Sequence, residues 1–215
     1  MWKFIFLLIA YILGSIPFSY ILGKFFKHED IRKHGSGNTG TTNAFRVFGE
    51  IIGILVLIFD SLKAGVLVYL IAHTGTFEGI DLFHPMIYGF MSIIGHMFPV
   101  WLKFNGGKGV ASSFGLLLAY NYVIALILMP VFIITLFVTR YVSVSSLMTS
   151  AMACVTVIVL YIISPDPSYD IYLIVITVLA TALIFWRHKT NIRRLINHEE
   201  SRITFLDKLE KNTEE

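Results

Sequence analysis

Long apolar runs separated by short polar breaks dominate the chain. Runs long enough, or nearly long enough, to cross roughly 30 Å of hydrocarbon occur at about 4–23, 50–72, 84–100, 110–120, 122–139, 143–163 and 170–187. They predict an all-α integral membrane protein of about seven transmembrane helices, in a single polytopic domain over 1–215. The fourth run is the shortest, with about eleven residues between Gly109 and the Tyr120-Asn121-Tyr122 break, against the roughly 20 of a full span. Either it forms a short or tilted helix, or 110–139 forms one long helix and the spans number six. The first run lacks a small-residue cleavage site and further apolar runs follow, so it reads as a retained span and not as a signal peptide. Gly14, Ser15, Pro17 and Ser19 within it allow close packing or a kink. The tail from about Asn197 is charged and is expected at the surface, helical or frayed.

Composition agrees with a membrane protein. Of 215 residues, 56% are hydrophobic and 14% charged, where a soluble domain carries roughly 25% charged residues; mean hydropathy is +0.74. The net charge of +3 is unevenly spread. Lysine and arginine crowd the segment from Lys24 to Arg46, the turn from Lys103 to Lys108, the turn at Arg140 and the chain from Arg187 onward, while 73–83 and 164–170 have none. Basic connections belong on the cytoplasmic side. With seven helices, basic and non-basic connections alternate, which places the N-terminus outside and the C-terminus in the cytoplasm; with six, Lys108 and Arg140 would fall on opposite faces. The charge therefore reports orientation, and nucleic acid is not an expected partner. Cys154, the lone cysteine, lies in an apolar run and can form neither an intrachain disulfide nor a cysteine-type metal cluster.

Against this background the stretch GSGNTGTTNAFR, Gly35 to Arg46, stands out. Gly35, Gly37 and Gly40 let the backbone approach a ligand and turn N–H groups toward it; Ser36, Asn38, Thr39, Thr41, Thr42 and Asn43 add uncharged hydrogen-bonding groups, and Arg46 a fixed positive charge. The natural guest is a phosphate. Three further polar stretches fall at the same predicted face: GHMFPVWLKFNGGKGVASS from Gly95 to Ser113, TRYVSVSS from Thr139 to Ser146, and HKTNIRRL from His188 to Leu195. In the second, Gly106, Gly107 and Gly109 flank Lys108 just before a helix, so free amides and the helix's positive end are expected to meet an anion beside an ammonium group. It is not a Walker A loop: Leu102 stands where the first glycine would be, and Gly109 follows Lys108 in place of Ser or Thr. An ordinary glycine turn with an interfacial lysine would carry the same residues. His96 is a candidate base or ligand, though lone histidines more often pack. Arg140, Ser143 and Ser146 share one helix side by their three-residue spacing, with Ser143 also a candidate N-cap. His188, Asn191 and Arg194 repeat that spacing, while Arg187, Lys189 and Arg193 read as membrane anchors. Asp60 and Lys63, costly inside an apolar run, read as a structural ion pair rather than a catalytic one.

Together these four stretches resemble the bacterial membrane glycerol-3-phosphate acyltransferases that use acyl phosphate, the PlsY family. The resemblance runs from GSIPFSY in the first helix through Glu200, with the motifs in the family's order. It implies transfer of a fatty acyl group from acyl phosphate to the 1-hydroxyl of sn-glycerol 3-phosphate, giving lysophosphatidate and phosphate, at a site facing the cytoplasm from the cell membrane. No cofactor or obligate protein partner is implied, and no metal. Carried onto this chain, the catalytic positions are Ser36, Arg46, Lys108, Ser143, His188 and Asn191; the substrate-binding positions are Gly37, Asn38, Thr42, Asn43, His96, Gly106, Gly107, Arg140, Ser146 and Arg194. Thr41, Ala64 and His198 depart from the family's usual alanine, glycine and glycine. The alternative from another class is a small transporter for a phosphorylated solute; it predicts an internal repeat and polar groups at mid-membrane, and the chain shows neither pattern.

Overall fold

The computed structural model describes residues 1–203, and every regular element among them is helical. Ten α-helices follow in order: α1 (Trp2–Ser15), α2 (Phe18–Lys27), α3 (Thr41–Phe48), α4 (Glu50–His73), α5 (Pro85–Met97), α6 (Val110–Tyr120), α7 (Tyr122–Thr139), α8 (Val142–Ile163), α9 (Ile171–Arg187) and α10 (Lys189–Ile196). Five stretches are long and apolar enough to cross a membrane: Trp2–Lys27, Glu50–His73, Pro85–Leu102, Tyr122–Thr139 and Val142–Ile163. A sixth arises if α9 and α10, bent by 55° at His188, count as one span. Each of the seven predicted runs is helical, and the single helix over 110–139 is overturned. At Asn121 the backbone is extended (φ −149°, ψ 100°) and the side chain accepts from Val123 N at 3.1 Å, capping α7 and closing off α6. At 11 residues, α6 is only about 16 Å long. Beyond Ile203 the predicted surface tail lies outside the described residues; from Glu199 to Ile203 the chain is not helical.

The predicted kink in the first span falls at Ile16–Pro17. Proline lacks an amide hydrogen and clashes with the preceding turn, so α1 stops at Ser15 and α2 restarts at Phe18. In lipid, helices gain little from hydrophobic burial and associate through close packing and polar contacts. Accordingly α1 lies against α5, and α4 against α6, through small residues. A Cβ on Gly14 would come within 2.1 Å of the Ser92 carbonyl oxygen, and one on Gly115 within 2.1 Å of the Ser61 carbonyl oxygen. The main apolar core joins Val68, Met86, Ile93, Leu116, Ile124 and Leu173. The opposite helix faces, such as Ile133, Ile134, Phe137 and Val138 on α7, are exposed and apolar, as a lipid-facing surface requires.

Long-range polar contacts sort the connections into two ends. At one end Lys3 pairs with Asp81 at 2.8 Å, His84 with Asp170 at 3.0 Å, and Asn121 Nδ2 donates to Ser168 Oγ at 2.8 Å. All four predicted motifs gather at the other end.

Candidate active site

The first motif is folded by its own asparagines. Asn43, buried on α3, accepts from Ser36 N through Oδ1 at 2.9 Å. Its Nδ2 donates to the carbonyls of Asn38 at 2.9 Å and His34 at 3.1 Å. Gly35 has φ +60°, and a Cβ there would lie 2.3 Å from Asn43 Oδ1, so side-chain bulk and the knot are incompatible. The buried Ile31 pins the loop to Ala44, Phe48, Ile52 and Val56. Ser19 of α2 ties it from below, donating to the Thr39 carbonyl at 2.6 Å. With Asn43 turned inward, Thr42 and Arg46 share the exposed side of α3 at i,i+4 spacing, and Ser36 is exposed at the loop's rim.

The second motif folds back on the end of α5. Gly106 N donates to the Met97 carbonyl and Gly107 N to the His96 carbonyl, both at 3.1 Å. A Cβ on Gly107 would stand 2.0 Å from His96 Nε2, and one on Gly106 2.1 Å from the His96 carbonyl oxygen. These glycines are required by close approach, and their amides are spent within the loop. The same holds for Ser36, Gly37 and Gly40, whose amides bond to Asn43, His34 and Asn38. The expected cradle of inward-turned amides is therefore corrected at these five positions: their N–H groups are spent on the loops' own acceptors, and the loops are self-bonded frames.

Long-range contacts join the motifs. Asn38 Nδ2 donates to the Gly106 carbonyl at 3.4 Å. Arg187 donates through Nε to the Gly107 carbonyl at 3.1 Å and through a terminal nitrogen to the Gly106 carbonyl at 2.7 Å. Read from sequence as an anchor, Arg187 is thus a structural member of the site; no local signal could have told it from Lys189 or Arg193. Lys108 Nζ donates to Asn191 Oδ1 at 2.6 Å. Asn191 Nδ2 in turn donates to Glu200 Oε1 at 2.7 Å, and Arg194 Nε to Glu200 Oε2 at 2.8 Å. The tail then crosses to the third motif, where Ile203 N donates to the Arg140 carbonyl at 3.0 Å and Arg202 Nε to the Tyr141 hydroxyl at 3.0 Å.

On α8, Ser143 and Ser146 are both buried. Ser143 is not the N-cap: Tyr141 holds that position and α8 begins at Val142. The Ser143 hydroxyl lies near enough to Glu200 to favour its ionised form, yet it makes no hydrogen bond of ordinary geometry among the described residues. His188, at the α9–α10 bend, places Nδ1 2.8 Å from the Ile184 carbonyl. A carbonyl only accepts, so Nδ1 carries the proton and Nε2 of the neutral ring keeps its lone pair. Burial holds the Lys108 ammonium down to about 8, opposed by Glu200 and reinforced by Arg194, Arg187 and Arg46. Arg194, Arg187 and Arg46, acting together on a partly buried ammonium, concentrate positive charge at one end of a lipid-embedded bundle, an electrostatic setting that favours an anion such as a phosphate.

Comparison with known proteins gives that class its family. Residues 4–198 match the family described as glycerol-3-phosphate acyltransferase. A glycerol-3-phosphate acyltransferase of Enterococcus faecalis is 41% identical over 203 residues, covering 94% of this chain and 92% of its own. One from Bacillus velezensis is 42% identical over 200 residues, covering 92% and 95%. The crystal structure of PlsY (YgiH), an integral membrane glycerol 3-phosphate acyltransferase, in its glycerol 3-phosphate form superposes with a TM-score of 0.84 at 33% identity, covering 97% of this chain and 99% of that one. The chain belongs to the glycerol-3-phosphate acyltransferase family, and is an integral membrane enzyme of the PlsY type.

Proposed function

We propose that the acyl donor is an acyl phosphate and that the 1-hydroxyl of glycerol 3-phosphate attacks its carbonyl, giving lysophosphatidate and inorganic phosphate. The observation that carries this reading is the convergence of Lys108, Arg46, Arg187 and Arg194 beside a glycine loop at one end of the bundle. Two phosphorylated molecules need several cations held side by side. Next to that end, at the Pro17 break, an apolar groove of about 400 Å³ is lined by Ile12, Ile16, Pro17, Tyr20, Ile21 and Trp101. It suits an acyl tail whose headgroup lies at the cations.

An acyl phosphate is already activated and phosphate is a good leaving group, so the enzyme's work is alignment and stabilisation of developing negative charge. Lys108 and Arg46 hold phosphate, with Arg140 and Arg194 beside them. Asn191 holds the Lys108 ammonium in place, and Ser36 orients the donor from the rim. His188 Nε2 or a substrate phosphate oxygen takes the hydroxyl proton as the ester bond forms and the carbonyl–phosphate bond breaks. His96, pressed under Gly107, supports the loop. Basic connections gather at this end, which supports a site that faces the cytoplasm from the cell membrane.

Purified protein given labelled glycerol 3-phosphate with palmitoyl phosphate, and in parallel with palmitoyl-CoA, tests the donor. Product from the first alone is expected; product from CoA alone overturns the reading. Rapid quench and mass spectrometry should find no acylated Ser36, Ser143 or Ser146 peptide, since transfer is direct.

A further inference from the structure

Asp60 lies mid-way along α4, about 1% exposed, and its contacts extend beyond an ion pair. Its Oδ1 is 2.7 Å from Lys63 Nζ and 3.6 Å from His96 Nδ1, while Oδ2 has no hydrogen-bond partner among the described residues. Lys63 Nζ donates onward to the Ile16 carbonyl at 2.9 Å, an acceptor stranded where Pro17 breaks the α1–α2 helix. The other face of the His96 ring is the floor of the Gly106–Gly107 turn, with Nε2 against Gly107. Close neighbours lock α4 here: Ser112 Oγ donates to the Asp60 carbonyl and Ser92 Oγ to the Lys63 carbonyl, both at 3.0 Å.

A buried ion pair is weak support for stability, because desolvation offsets most of its Coulomb gain; in lipid that cost argues for a functional role. A plain structural pair would also leave His96 out, whereas here the carboxylate oxygen that pairs with the lysine at 2.7 Å also lies 3.6 Å from Nδ1 of the imidazole beneath the loop, beyond hydrogen-bond distance but within electrostatic reach. We propose that Asp60 is a positioning residue: through His96 it fixes the Gly106–Gly107 turn and so sets where Lys108 meets the phosphate of glycerol 3-phosphate. This rests on the assignment of Lys108 to that phosphate and is independent of the acyl donor. A misplacement of the turn by a fraction of an ångström weakens phosphate capture first, so the effect falls on KM for glycerol 3-phosphate more than on KM for the donor.

The test is a charge-neutral double variant, Asp60→Asn with Lys63→Met, measured for unfolding temperature in detergent and for both KM values. If Asp60 serves only to balance Lys63, removing both charges restores stability and normal kinetics together, which overturns the proposal. If Asp60 positions the loop, the double variant stays folded while KM for glycerol 3-phosphate rises about tenfold or more and KM for the donor holds. Should the double variant fail to fold, His96→Asn, which keeps the Asp60–Lys63 pair, gives the reading: a raised glycerol 3-phosphate KM at near-native unfolding temperature supports the role, and an unchanged KM overturns it. Lys108→Ala run alongside separates the two layers. If it too leaves that KM unchanged, the phosphate assignment falls; if it alone raises KM, only the Asp60 inference falls.

Discussion

The Lys108 ammonium donates to the Asn191 side-chain oxygen at 2.6 Å, joining residues 83 positions apart. Burial and the neighbouring arginines bring that ammonium down to about 8, so it is charged at neutral pH and loses its charge as pH rises through 8. If Lys108 holds the phosphate as proposed, its capture follows the charged form. For glycerol 3-phosphate, kcat/KM should fall above about pH 8, as steady-state rates between pH 6 and 9.5 will show. Lys108→Arg, which keeps its charge throughout, should be slower at neutral pH but show no such fall. Lys108→Ala should lose about 10²–10³ of turnover while remaining folded in detergent, and near-normal rates would refute its assignment.

Glu200 is the acidic member of this cationic cluster, bonded to both Asn191 and Arg194. Burial disfavours its ionised form, yet the hydrogen bonds from Arg194 and Asn191 outweigh it and hold the carboxyl below its ordinary range. A depressed carboxyl stabilises the fold above the unfolded pKa, near about 4.3, and that contribution disappears as pH falls through the folded value. Glu200→Gln should therefore flatten the acid limb of the unfolding temperature plotted against pH. Glu200→Ala, which strands Asn191 and Arg194, should cost about 1–3 kcal/mol, read from thermal unfolding in detergent.

Much of this architecture was legible in the sequence. The apolar runs fixed where helices lie, and Asn121 between two tyrosines marked the break that separates α6 from α7. The four motifs signalled themselves because polar residues in a lipid-embedded chain need a reason to be there. What stayed hidden were contacts made through backbone carbonyls. Arg187 looked like any interfacial arginine until the Gly106 and Gly107 carbonyls appeared beside it. The glycines misled in a related way: their spacing suggested amides open to an anion, but where an amide points depends on which carbonyl lies opposite, and that is set by tertiary packing. Asp60 and Lys63 were correctly paired by spacing, whereas the third partner, His96, comes from another helix with no periodicity to announce it.

Gly107 allows a sharper test of the loop than its charged neighbour. A methyl group there would lie 2.0 Å from His96 Nε2, deep inside van der Waals contact, and the buried ring has little room to yield. Gly107→Ala should raise KM for glycerol 3-phosphate by about an order of magnitude and lower the unfolding temperature. Gly79→Ala is the control: unlike Gly107, Gly79 has a positive φ, of +80°, but its added methyl meets nothing within 4 Å, so a small strain cost of about 1–2 kcal/mol should leave both KM values unchanged.

Arg187 holds the same turn from the opposite side, and the geometry of its head decides what can replace it. Its guanidinium reaches two successive carbonyls at 3.1 and 2.7 Å from two nitrogens in one plane. A lysine ammonium is a single point of donation on a flexible stem and cannot span both acceptors in that orientation. Arg187→Lys keeps the positive charge, so any loss reports lost bidentate geometry and not lost electrostatics. If the turn depends on that fork, Arg187→Lys should raise KM for glycerol 3-phosphate about five- to tenfold, the loss of roughly one hydrogen bond, and added salt should not alter the ratio to wild type. A variant indistinguishable from wild type would mean that charge alone at this position suffices, and that the Gly106–Gly107 carbonyls are satisfied without the fork.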